Sequence, residues 1–174
     1  MESMIDKVKA IRLLVLDVDG VLTTGAIYYG SDNFEMRGFH IHDGMGIKLL
    51  QSAGIKVAII SGKQSDPVER RIKDLQIEHA YLGYDVKLPA YEDLKQKLNI
   101  KDHEIAYMGD DLPDLPILRR AGFSITVPQA SEIIRQHVDY ITKRKPGKGA
   151  VREVCEFILE SQDRLQSVLQ SYLI

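Results

Sequence analysis

The sequence predicts an α/β fold in which a doubly wound parallel sheet carries helices on both faces. Two observations carry that prediction. Short β-branched or apolar runs alternate with amphipathic stretches along the chain, and such alternation builds right-handed βαβ units. The length, 174 residues, suits a single layered core, which usually occupies roughly 100–200 residues. No repeat, low-complexity tract or Pro/Gly/Ser linker divides it, so residues 1–174 read as one domain.

Leu13–Leu16 is an unbroken apolar run of strand length, as expected for a strand buried on both faces. Val57–Ile60, Ala80–Leu82, Ile105–Met108 and Ser124–Val127 repeat the pattern. Helical periodicity falls between these runs, over Gly44–Ala53, Pro67–Leu75, Lys87–Leu98, Pro113–Ala121 and Ser131–His137. Ala150–Leu169 reads as one long closing helix. The rhythm breaks once. Ala26–Tyr29 and Glu35–Phe39 are strand-like and flank Gly30-Ser31-Asp32-Asn33, a run of turn formers that predicts a β-hairpin flap after the first strand. Tyr28, Tyr29, Phe34 and Phe39 make that flap aromatic, which suits packing within the chain or against another subunit.

Composition removes several classes of function. The formal net charge is -2, from 23 basic and 25 acidic residues, which argues against an electrostatic nucleic-acid binder. Lys143-Arg144-Lys145 with Lys148 is a local basic exception. Cys155 is the single cysteine and sits in a helical apolar pattern, so a packed residue is expected rather than a nucleophile. No signal-peptide pattern opens the chain, and no apolar run approaches the roughly 20 residues of a membrane span. A cytoplasmic protein without a membrane partner is expected.

In an open parallel sheet, ligands bind outside the carboxyl ends of the strands. Asp17 and Asp19 follow the first strand, within Leu-Asp-Val-Asp-Gly-Val-Leu-Thr. Ser61 and Gly62 follow the second, and Lys87 follows the third. Gly109-Asp110-Asp111 follow the fourth, with Asp114 one turn on. One acidic pair in a loop is usually only solvated; four successive strand ends with suitable groups form a site. Asp17, Asp19 and Asp110 make an oxygen-rich set for a hard cation such as Mg²⁺. Unpaired carboxylates against an apolar strand are costly, and a cation relieves that cost. His40 and His42, two apart in an extended run, supply no zinc pattern. Ser61 and Lys87 suit the remaining oxygens of a phosphoryl group, and Gly20 and Gly62 let backbone N–H groups approach it. A carboxylate beside a phosphoryl group held in this way is a competent nucleophile. The expected catalytic residues are Asp17 as nucleophile, Asp19 as acid and base, and Ser61 and Lys87 as phosphate ligands.

These residues match the four motifs of the haloacid-dehalogenase superfamily, which the chain resembles over its whole length. The resemblance implies a Rossmann-like fold in which the Asp17 side chain, the Asp19 backbone carbonyl and the Asp110 side chain hold Mg²⁺. Asp111 and Asp114 then orient metal waters and Lys87. Cap domains of this superfamily are inserted after the first or second motif. Asp19 to Ser61 holds only the hairpin and one helix, and Ser61 to Lys87 one helix and one strand, so no cap domain is expected. Within the capless group the chain is similar to the 3-deoxy-D-manno-octulosonate 8-phosphate phosphatase family of lipopolysaccharide precursor synthesis. Asp17–Gly25, His40–Lys48, Ser61–Arg71, Gly109–Asp114 and Gly147–Glu153 carry that similarity.

That resemblance implies a small acidic sugar phosphate as substrate and a homotetramer with a central barrel of hairpins. A neighbour's C-terminal tail would help cover each site. It also implies a sugar-contact segment, His40, Ile41, His42, Asp43 and Gly44, beside Asp19 and Lys87, with Lys48, Lys63 and Arg71 adding positive charge. The chain departs from the family where Lys48 and Lys63 replace frequent arginines and His40 and His42 replace Asn and Arg. Lysine lacks the planar two-pronged contact to a carboxylate, so a nine-carbon acidic sugar phosphate is a second candidate substrate. Two other classes remain. A phospho-receiver domain would carry its acceptor Asp after the third strand, where this chain has Leu82-Gly83-Tyr84-Asp85. A non-catalytic oligomerisation module would have lost a motif residue, and none is lost.

Overall fold

The computed structural model describes residues 3–174. Helix α1 (Met4–Lys9) leads into β1 (Leu13–Leu16), then the hairpin of β2 (Tyr28–Tyr29) and β3 (Glu35–Met36). Next come α2 (Ile41–Ser52), β4 (Lys56–Ser61), α3 (Asp66–Asp74), β5 (His79–Leu82), α4 (Leu88–Leu98) and β6 (Ile105–Met108). A 3-10 turn over Leu112–Asp114 runs into α5 (Leu115–Leu118). Then follow β7 (Phe123–Thr126), α6 (Glu132–Arg135), β8 (Tyr140–Ile141), α7 (Ala150–Ser161) and α8 (Leu165–Leu169).

Six strands form one sheet in the order β5-β4-β1-β6-β7-β8, with every pairing parallel. Helices flank it, as the alternating pattern predicts. All four residues of β1 are buried, because neighbouring strands and both helical layers cover them. The chain builds outward from β1 to β4 and β5, then returns to its other side for β6, β7 and β8. That reversal opens a crevice at the carboxyl end of β1. Leu16 stands opposite Ile59 on one side and Met108 on the other, so the loops after β1, β4 and β6 emerge together. Among the described residues only the hairpin is inserted between β1 and α2, and no cap domain is present. No described helix is long and apolar enough to cross a membrane.

Five local expectations need correction. The hairpin pairs only Tyr28 with Met36 and Tyr29 with Glu35, shorter than the sequence implies. Its turn is set by Asp32 and Asn33, both left-handed (φ 56° and 61°), which Asp and Asn tolerate well. His40 keeps extended backbone just ahead of α2, but His42 lies in the first turn of that helix, and their rings meet edge to face at 5.1 Å. The helix expected over Pro113–Ala121 is a 3-10 turn and four α residues. Pro113 and Pro116 lack the N–H groups that a continuous helix would use. The long closing helix breaks between α7 and α8, where Asp163 turns left-handed (φ 56°). There Gln162 Nε2 leaves the helix to donate to the carbonyls of Val8 (3.1 Å) and Ile11 (2.8 Å). Finally, α1 and β8 have no counterpart in the sequence reading, being six and two residues long.

Candidate active site

Asp17 ends β1 with its N–H bonded to the Met108 carbonyl of β6 (3.0 Å), so its position is fixed by the sheet. The residue is 6% exposed. Lys87, just ahead of α4, donates from Nζ to Asp17 Oδ1 and Asp114 Oδ1, each at 2.7 Å. Asp114 is fully engaged. Its Oδ1 also accepts from Tyr107 Oη (2.6 Å), and its Oδ2 accepts the backbone N–H groups of Asp110 (3.0 Å) and Asp111 (3.2 Å). One buried carboxylate thereby fixes both the ammonium and the loop that carries Asp110. Asp111 uses its own carboxylate on the Leu112 amide (2.8 Å).

Carboxylate oxygens of Asp17, Asp110 and Asp114 lie within 4.8 Å of one another. Gly20 makes this approach feasible. It adopts φ +88°, and a Cβ there would collide with the Asp110 carboxylate. Burial, and then the charge of Asp114, drive the Asp17 carboxyl well above its ordinary range against the opposing pull of Lys87. Asp110 is raised by burial and by its neighbours Asp114 and Asp111. Burial works to lower Lys87, but Asp17 and Asp114 outweigh it and hold the ammonium above its usual value. Three crowded acids against one ammonium, all oxygen donors, fit a hard divalent cation. Ser61, 1% exposed, completes the base of the site, with its Oγ accepting from the Lys63 amide (3.3 Å).

The cleft has a volume of about 450 Å³ and is lined by Asp17, Asp19, Gly25, Ile27, Ser61, Gly62, Lys63, Asp85, Lys87, Asp110, Asp111, Pro113 and Asp114. A second cleft of about 470 Å³, lined by residues including Lys56, Glu78 and His79, lies at the amino ends of β4 and β5. It gathers no carboxylate cluster, so size does not mark the site; chemistry does.

The structure divides the sequence-predicted residues into two groups. Asp17, Asp19, Ser61, Lys63, Lys87 and Asp110 share the cleft. His40, Ile41, His42, Asp43, Gly44, Lys48 and Arg71 do not line it within this chain. Asp43 is a correction, because it is buried and accepts the backbone N–H groups of Gly149 (3.3 Å) and Arg152 (2.8 Å). It thus caps the start of α7. Burial raises its carboxyl, and those two amides hold it down. Gly44 is likewise structural, giving the Arg71 guanidinium room. Arg71 donates to the His40 carbonyl (3.2 Å) and sits 5.6 Å from the Phe39 ring centroid. Ile41 and His42 are exposed at the start of α2, and Lys48 is exposed about two turns further along it. Sequence reasoning missed Tyr107 and Arg37. Tyr107 hides in an apolar strand run, and Arg37 lies in a flap with no motif of its own.

A sheet switch point that presents clustered carboxylates, a buried ammonium and a hydroxyl defines a metal-assisted α/β hydrolase. Comparison with known proteins narrows this. The family of haloacid dehalogenase-like hydrolases matches residues 86–154. The chain is 44% identical to 3-deoxy-D-manno-octulosonate 8-phosphate phosphatase KdsC of Escherichia coli, over 94% of this chain and 87% of that protein. It also resembles the solved phosphatase of that name from Moraxella catarrhalis, in complex with magnesium ion, phosphate ion and KDO. The TM-score is 0.95 at 45% identity, over 99% of both chains. The cobalt-bound deoxy-D-mannose-octulosonate 8-phosphate phosphatase of Haemophilus influenzae gives 0.87 at 39% identity, over 90% and 92%. The chain belongs to the haloacid dehalogenase-like hydrolases.

Proposed function

We propose that this chain is a Mg²⁺-dependent phosphatase that hydrolyses 3-deoxy-D-manno-octulosonate 8-phosphate to the free sugar acid and phosphate, in lipopolysaccharide precursor synthesis. The observation that carries the reading is the convergence of Asp17, Asp110, Asp114, Lys87 and Ser61 on one crevice. The names of the relatives support the substrate. Mg²⁺, held by the side chains of Asp17 and Asp110 and the carbonyl of Asp19, supplies charge neutralisation on the phosphoryl oxygens. Lys87 and Ser61 bind the others. An Asp17 oxygen attacks phosphorus as the bond to the sugar oxygen breaks, and that oxygen takes a proton from Asp19. Water then attacks the aspartyl phosphate, its proton passes to Asp19, and the bond from Asp17 to phosphorus breaks to release phosphate.

Lys63 at the cleft mouth supplies positive charge for the sugar carboxylate. His40, Ile41, His42, Lys48 and Arg71 contribute where a sister subunit's site meets this surface. Residues 1–174 form one domain, and the protein works as a cytoplasmic homotetramer. The test is phosphate release, with and without Mg²⁺, from the octulosonate phosphate, its nine-carbon analogues and hexose phosphates. Strong metal-dependent preference for the octulosonate supports the assignment; equal slow release from all of them removes the substrate, and no release removes the chemistry.

A further inference from the structure

Arg37 belongs to no motif that marks the site, yet its side chain is 1% exposed and closes on Asp19. Its Nε donates to Asp19 Oδ1 at 2.7 Å and one Nη to Oδ2 at 3.2 Å. This two-pronged pairing fixes the plane of a carboxylate as well as its distance. The other Nη donates to Ser65 Oγ at 2.9 Å, at the residue preceding α3, and Glu35 flanks the same guanidinium. Arg37 follows β3 directly. One side chain therefore ties the flap to the loop after β1 and to the segment after Ser61.

We propose that Arg37 is a positioning residue that sets the orientation of Asp19 for its acid–base work, which makes the flap part of the catalytic apparatus. The proposal rests on the assignment of Asp19 given above. Asp19 stands in a turn, and among the described residues its carboxylate is hydrogen-bonded by Arg37 and by no backbone group. In the second half-reaction the proton of the attacking water must reach an Asp19 oxygen while the bond from Asp17 to phosphorus breaks. A carboxylate free to swing is correctly placed only part of the time, and misplacement of a reacting group is costly in rate.

The experiment uses the full chain with Mg²⁺ and nitrophenyl phosphate, whose leaving group departs without a proton donor. In Arg37→Gln the first half-reaction proceeds and the second stalls. A burst of nitrophenolate close to one per site is expected, with phosphate trapped on Asp17 after an acid quench. Steady-state kcat falls about a hundredfold, within the usual range for one acid–base group, and KM falls with it. Arg37→Lys, which keeps the charge and loses the fork, recovers part of kcat. The double variant Arg37→Gln/Asp19→Asn is no slower than Asp19→Asn alone, as expected of two residues acting as a unit. Normal turnover in Arg37→Gln, or a slow rate without burst or trapped phosphate while Asp19→Asn is inactive, overturns the proposal alone. Undiminished turnover in Asp19→Asn removes the Asp19 assignment and the proposal with it.

Discussion

Buried Asp17 and half-buried Asp110 lie beside Asp114 with one ammonium, that of Lys87, to balance them. Both carboxyls are raised in the metal-free protein by burial and by the charge of Asp114. A group raised on folding contributes stability that is present below its unfolded pKa, about 3.9 for Asp, and is lost as pH rises through the folded value. The metal-free protein should therefore lose stability as pH rises, while Mg²⁺, which must displace those protons, binds better. The increase in Tm on adding Mg²⁺ should be larger at about pH 8 than at about pH 5.5; equal increments at both would contradict this account. Asp17→Asn should remove turnover by about 10⁴-fold or more, as for other nucleophile deletions. Isothermal titration should show Mg²⁺-dependent phosphate binding surviving in part, and near-wild-type turnover would sink the mechanism. Asp17, Ser61, Lys87 and Asp110 were legible in the sequence because strand ends index them. Arg37 and Tyr107 were not, because each acts through a carboxylate that only the folded chain brings near.

Helix α7 starts against α2, and Asp43 of α2 supplies the acceptor that its first turn lacks, since Gly149 has no side chain to offer. This replaces a local cap with one from more than a hundred residues away in sequence. Asp43→Ala should therefore cost about 2 kcal/mol in urea unfolding, the sum of a lost cap and orphaned amides. KM for the sugar phosphate should stay unchanged in the folded fraction. A raised KM at unchanged stability would restore Asp43 to the sugar contacts. The same example shows where sequence patterns stop. The five long strands of the sheet were legible from apolar runs, and α2, α3 and α4 from periodicity. The break after α7 was not, because Gln162 is recruited by carbonyls of the segment before β1. Tyr140–Ile141 pairs with β7 over two residues, too short a run to carry a pattern.

The flap presents an aromatic surface that its own chain leaves uncovered. Tyr28, Tyr29, Phe34 and Met36 are 56%, 74%, 57% and 49% exposed, and Ile41 at the start of α2 is 76% exposed. An isolated two-stranded hairpin is marginal in water, and an apolar patch of this extent marks a surface for association. Its aromatic composition is that of an interface core rather than a solvated turn. Arg37 ties the same hairpin to Asp19, so covering the flap and ordering the acid–base residue become one event. In the homotetramer proposed above, assembly then serves catalysis as well as burial. Tyr29→Asp combined with Phe34→Asp places charge in that patch without touching the six-stranded sheet. Sedimentation should show tetramer replaced by smaller species, with the circular dichroism of the α/β core unchanged. Turnover per chain should fall together with the tetramer fraction as protein is diluted. Dissociation with full activity would confine the hairpin to assembly, whereas an intact tetramer would place the interface elsewhere on the molecule.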